Sequence, residues 1–194
     1  MNYPHWQYYK SILSDLEVLS RYVEISQDNY ETYSIELTKL LLSVCSEVDV
    51  VAKLLCASAN STESPDNIKS YQKILLAKFP GLPDVEISLP KYVISFKPWG
   101  EWLQDKTPEW WNDYNKVKHE RDKHFRDGNL KNVLFATGGL CVLLSYLHYK
   151  NFIAKGLVTQ LFMFLDYKYT KGQGLKPLVV KQYKLPDFKD YIIR

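Results

Sequence analysis

Cysteine is scarce in this chain: three residues in 194, at Cys45, Cys56 and Cys141, each inside an apolar stretch that reads as helix. An odd number without a close Cys or His partner argues against a disulfide framework and against zinc, and leaves them as small buried hydrophobes. Histidine is also sparse. His119 and His124 lie five apart, hence on different faces of a helix, so the pair lacks metal-ligand spacing. No metal and no cofactor is expected. Charge of one sign is nearly absent too: 25 Lys and Arg against 22 Asp and Glu leave a formal +3. That is too little to imply nucleic-acid binding by charge alone. The basic excess gathers after Lys168, where a solvated surface is the expected reading.

Other absences narrow the function further. The sequence has no G-x-G-x-x-G, no phosphate-binding loop and no G-x-S-x-G, the signatures of dinucleotide, nucleotide and serine-hydrolase sites. The opening MNYPHWQYYK lacks a charged region followed by an apolar core, so no secretory signal is expected. Apolar runs such as LLLSVCSEVDVVAKLL carry charges and fall short of membrane-spanning length. A cytoplasmic protein without membrane contact is the expectation. Aromatic residues, by contrast, are plentiful at 14%, which argues for a packed core and against disorder.

The periodicity predicts a mainly α fold, an up-and-down helical bundle. Trp6, Tyr9, Ile12, Leu13, Leu16, Leu19, Tyr22 and Val23 predict a first amphipathic helix over 5–26, broken at Gln27-Asp28-Asn29. Leu37, Leu41, Val44, Val48, Val51, Ala52 and Leu55 predict a long second helix over 34–58, with Thr32 or Ser34 as its cap. Glu47 sits on the edge of that stripe, where it can reach a partner on another helix. Ser64-Pro65-Asp66 suggests the start of a short helix through Tyr71, Ile74, Leu75 and Phe79. Four prolines from Leu82 to Trp99, with VEISL and YVISF between them, suggest a small extended or β segment near 85–96. Residues 129–151 predict a buried helix, in which Gly138-Gly139 marks a close helix crossing or a kink. The expected division is a bundle over 1–154 and an appendage over 155–194, within which a C-terminal hairpin is possible.

The chemistry concentrates in residues 107–127, TPEWWNDYNKVKHERDKHFRD, expected to form one amphipathic helix. Thr107 would be the N-cap, Pro108 a first-turn proline, and Gly128 the stop. Trp110, Trp111, Tyr114, Val117 and Phe125 would share the apolar face. Asn115, His119, Asp122 and Arg126 would run along its edge at spacings of four, three and four. In a continuous helix Arg126 projects within about 20° of His119, whereas Arg121 projects about 200° away, beside Tyr114.

Tyr-Asn-Lys-Val-Lys-His at 114–119, preceding a buried helix and following the long helix ELTKLLLSVCSEVDVVAKLL, resembles the HEPN superfamily of prokaryotic toxin, antiphage and CRISPR-type helical domains. The resemblance spans roughly residues 5–151. It implies a bundle that works as a homodimer, with two arginine-polar-x-x-x-histidine motifs cleaving RNA without metal. On that pattern Asn115 takes the polar position and His119 the histidine position. Tyr114 stands where the family has arginine, and a phenol cannot supply a fixed positive charge to a scissile phosphate.

Two readings follow, with a third behind them. In the first, His119 is general acid or base, Arg126 holds the phosphate, Asn115 flanks them, and Tyr114, Glu47 and Asp122 support the site. Function is then RNA cleavage or RNA binding in phage defence or a toxin-type system. In the second, the chain is a noncatalytic helical module for a partner protein, and His119 ties helices together through Glu47 or Asp122. The third, a small-molecule sensor, requires an enclosed pocket.

Overall fold

The computed structural model describes residues 4–59 and 65–154, with side chains through His148. The order is α1 (Pro4–Leu19), α2 (Ile35–Ser58), α3 (Ile68–Lys78), β1 (Ile87–Leu89), β2 (Ile94–Phe96), α4 (Glu109–His119), the single turn α5 (Arg121–His124) and α6 (Leu130–Ala154), joined by short 3₁₀ turns. The fold is mainly α, with a small β segment where one was expected. The expected boundary at 154 leaves the appendage and its hairpin outside the described residues.

Helix α2 is the scaffold. Ser34 caps it, its hydroxyl accepting the Leu37 N–H at 3.1 Å. Its apolar stripe from Leu37 to Cys56 is almost wholly buried, and α1, α3 and α4 pack around it. Helix α1 ends at Leu19, earlier than the periodicity suggests, because Ser20–Val23 turns back through hydrogen bonds onto Leu16, Val18 and Leu19. Helix α3 starts on a different cap from the expected Ser64. Asn67 accepts the Lys69 and Ser70 N–H groups at 3.0 Å each, and the Ser70 hydroxyl answers the Asn67 N–H at 3.1 Å. This reciprocal box satisfies donors that a new helix leaves open.

The proline-rich connection forms an antiparallel hairpin in the register Ile87↔Phe96, Ser88↔Ser95 and Leu89↔Ile94. Phe96 points inward and stacks on Phe135 of α6, with centroids 4.3 Å apart. Beyond it Trp99 and Trp102 pack together at 4.4 Å, as the turn at Pro98-Trp99-Gly100 suggests.

Helix α6 runs through the centre. Leu130–His148 is long and apolar enough to cross a membrane by length and composition, more than the sequence reading allowed, and 67% of that window is buried inside the fold. Its paired glycines mark close approach, and at Gly139 one neighbour is the Trp110 ring of another helix, α4. A Cβ at Gly138 would lie 2.8 Å from the Phe96 ring, and one at Gly139 would lie 3.2–3.4 Å from the indoles of Trp110 and Trp99. The glycines are a bed for aromatic rings, and the Trp99 N–H donates to the Gly139 carbonyl at 3.1 Å.

Candidate functional site

Helix α4 begins at Glu109, and neither Thr107 nor the Pro108 side chain caps it. The cap comes from outside the helix. Both carboxylate oxygens of Glu101, on the preceding 3₁₀ turn Gly100–Gln104, accept the Glu109 N–H at 3.1 Å. A carboxylate at this helix end also faces the positive pole of the dipole. Burial nevertheless pushes the Glu101 carboxyl above its ordinary range, with the Glu109 N–H acting against that shift.

The apolar face of α4 is an aromatic ladder. The Trp110 indole N–H donates to the Pro98 carbonyl at 2.8 Å, Trp110 meets Trp99 and Trp111 at 5.1 and 5.7 Å, and Trp111 meets Tyr114 at 5.2 Å. Tyr114 is 6% exposed, and burial raises its phenol pKa. The position that the HEPN motif gives to arginine is therefore part of the core, with the Lys118 ammonium 5.7 Å from its ring.

The expected single helix over 107–127 is interrupted at Glu120, whose φ of −138° and ψ of 51° leave the helical region. Residues 121–124 make one further α turn and 125–127 a 3₁₀ turn. The edge from Asn115 to Arg126 is consequently not one stripe, and the shared projection of His119 and Arg126 disappears with the helix that produced it. Arg121, expected on the apolar face, is exposed.

Each candidate side chain then has its own surroundings. His119 is exposed at the last position of α4, Asn115 is half-buried and Asp122 is exposed. Among the described residues none of the three side chains makes a hydrogen bond or ion pair. Arg126 places its guanidinium 5.6 Å from the centroid of the Tyr33 ring, a cation–π distance. Tyr33 also packs edge-on against Phe125 at 5.9 Å. Glu47 does reach another helix, but the partner is His5 of α1 at 2.6 Å, not His119. The tie from His119 through Glu47 or Asp122 is absent.

The polar residues that the structure does gather were not singled out in the sequence. Asn132, 2% exposed, donates to the Asp113 carboxylate at 3.0 Å and to the Asp127 carbonyl at 2.9 Å. Asp113 also takes Lys116 at 2.8 Å. Asn129 accepts the Asn132 N–H at 2.9 Å and so caps α6. His124 meets the Asp127 carboxylate at 3.1 Å. The Asn-x-x-Asn spacing ahead of an apolar run was the available signal for the cap. Asp113 gave none, because its partner lies on another helix. Upstream of this network is a cleft of about 300 Å³ between the 3₁₀ turn, the start of α4 and α6, with Glu101, Gln104, Lys131, Asn132 and Phe135 among its walls.

Set against protein-family models, curated proteins and solved structures, the chain matches none of them.

Proposed function

We propose that the chain is a HEPN-like helical module that binds a partner protein through the exposed α4–α5 end and has lost ribonuclease chemistry. The observation that supports this is Tyr114, buried at 6% exposure where the motif needs a cation. A neutral phenol in the core cannot neutralise charge developing on a phosphoryl group. Arg126 offers no ready replacement, since the break at Glu120 removes the helical phase that paired it with His119 and its charge rests on Tyr33. Lys118, His119, Arg121 and Asp122 give that end a surface of mixed sign, suited to a partner carrying both charges.

Metal-independent RNA cleavage, in phage defence or a toxin-type system, is the second reading, and one observation favours it. His119 is exposed and its ring nitrogens have no partner among the described residues, which leaves the imidazole accessible for proton transfer. A homodimer would bring two such histidines together. The test is incubation of the protein with mixed-sequence single-stranded RNA and EDTA, beside His119→Ala. No cleavage by either protein is the expected result. Cleavage by the native protein alone, leaving cyclic phosphate ends, would replace the first reading with the second. Solution mass then decides whether a two-fold site can exist.

A further inference from the structure

Asp127-Gly128 is the one Asp-Gly pair in the sequence, and no Asn-Gly pair occurs. An aspartate followed by glycine is chemically labile in a flexible chain. The glycine backbone nitrogen can attack the aspartate Cγ, because no Cβ on the following residue stands in its way. The N–Cγ bond forms, the carboxyl C–OH bond breaks, and the N–H proton leaves with that hydroxyl as water. The product is a five-membered succinimide. Water then opens the ring at either carbonyl. Opening at the former main-chain carbonyl leaves isoaspartate, whose backbone runs through Cγ and is one methylene longer.

The fold holds each reacting atom elsewhere. The Gly128 N–H donates to the Phe125 carbonyl at 3.2 Å, at the end of the 3₁₀ turn Phe125–Asp127. His124 Nδ1 engages the Asp127 carboxylate at 3.1 Å, and the Asn132 amide donates to the Asp127 carbonyl at 2.9 Å. Gly128 itself is buried. The ring can close only after these contacts part, in a locally opened segment.

The longer product does not fit the place it came from. A Cβ on Gly128 would already overlap Thr38 Oγ1, so the seat has no room for an added carbon. Two residues on, the Leu130 N–H is fixed to the Thr32 carbonyl at 2.9 Å. A backbone one methylene longer must give up either the Thr38 seat or one of the hydrogen bonds on its two sides.

We infer that Asp127-Gly128 is a self-modification site that the native fold keeps closed, and that isoaspartate formation there makes an opening of the α5–α6 junction irreversible. The step needs no reagent but water. A local opening equilibrium thereby sets a lifetime for the folded chain.

The experiment follows isoaspartate at residue 127 by electron-transfer mass spectrometry of peptides spanning the pair. The full chain is incubated at neutral pH with and without denaturing urea. The native chain should accumulate isoaspartate at least about tenfold more slowly than the chain in urea. Asn132→Ala, which removes the donor from the Asp127 carbonyl, should speed accumulation without urea by about threefold or more. After urea is removed, size-exclusion chromatography should show isoaspartate depleted from the folded fraction and concentrated in the unfolded one. Equal accumulation with and without urea, an unchanged rate in Asn132→Ala, or isoaspartate in the folded fraction at the proportion of the whole sample would each overturn the inference.

Discussion

Replacing the two adjacent glycines of α6 by alanine, one at a time, separates helix propensity from packing. In propensity the two substitutions are equal: each should favour the helix by about 1 kcal/mol relative to glycine. Sterically they differ. At position 138 the new methyl would sit 2.8 Å from Phe96 Cε2 and 3.2 Å from Ile87 Cγ1. The Phe96 ring cannot simply retreat, because Phe135 stacks on it at 4.3 Å. Overpacking of this kind costs about 1–3 kcal/mol, so Gly138→Ala should be neutral to destabilising by about 2 kcal/mol. At position 139 the nearest atoms are indole carbons at 3.2–3.4 Å, and a shift of a few tenths of an ångström accommodates the methyl. Gly139→Ala should therefore be more stable than Gly138→Ala by about 1 kcal/mol or more. Urea denaturation followed by far-UV circular dichroism reads this as a difference in midpoint at constant m-value. Combining Gly138→Ala with Phe96→Leu should recover part of the loss, because the shorter side chain vacates the contact. Equal midpoints for the two alanine variants, or strict additivity with Phe96→Leu, would refute the claim that the glycines exist to seat aromatic rings.

Three other outcomes follow from the same structure. Gly128→Ala should be far worse than either, costing roughly 3 kcal/mol or more in the same assay, because its methyl would lie 2.2 Å from Thr38 Oγ1 and 3.0 Å from the Thr38 Cα. Asn132→Ala should destabilise by about 1–3 kcal/mol, since it strips a donor from the Asp113 carboxylate and the Asp127 carbonyl together; a midpoint unchanged from native would show the network to be idle. His148 is half-buried, and burial first, then the nearby His5, lower its pKa. Protonation therefore favours the unfolded chain, whose histidine titrates near its ordinary value of about 6.5. Stability from this group is complete above that pH and should fall as the pH drops through it towards the lower folded value. Urea midpoints between pH 7.5 and 5 check this, and His148→Gln should flatten the slope.

The elements that could be read from the sequence are those whose signal is local. The α2 stripe repeats at helical spacing, and Ser34 is followed at the proper distance by the N–H it binds, so both the helix and its cap were legible. Val and Ile alternating between prolines marked the hairpin, and Tyr114 with the tryptophans fell on the buried face as the periodicity required. The errors came where a partner from elsewhere decides. Propensity continues α4 past Glu120, but the chain at 130–131 is tied to 30–32 through Leu130 N–H to Thr32 O at 2.9 Å and Lys131 N–H to Tyr30 O at 3.1 Å. Gly128 meanwhile lies against Thr38 of α2, and the segment between must bend to meet these fixed points.

The sequence by itself thus determined that the chain is a mainly helical bundle around an apolar α2 and α6, because burying a stripe every 3.6 residues admits little else. It also determined that Tyr114 would be inside. Only the tertiary structure decided which polar groups meet: Glu47 with His5 rather than His119, Glu101 capping α4 in place of Thr107, and Asp113 with Asn132. Hydrogen bonds between distant segments depend on side-chain positions set by packing, and no local spacing encodes them.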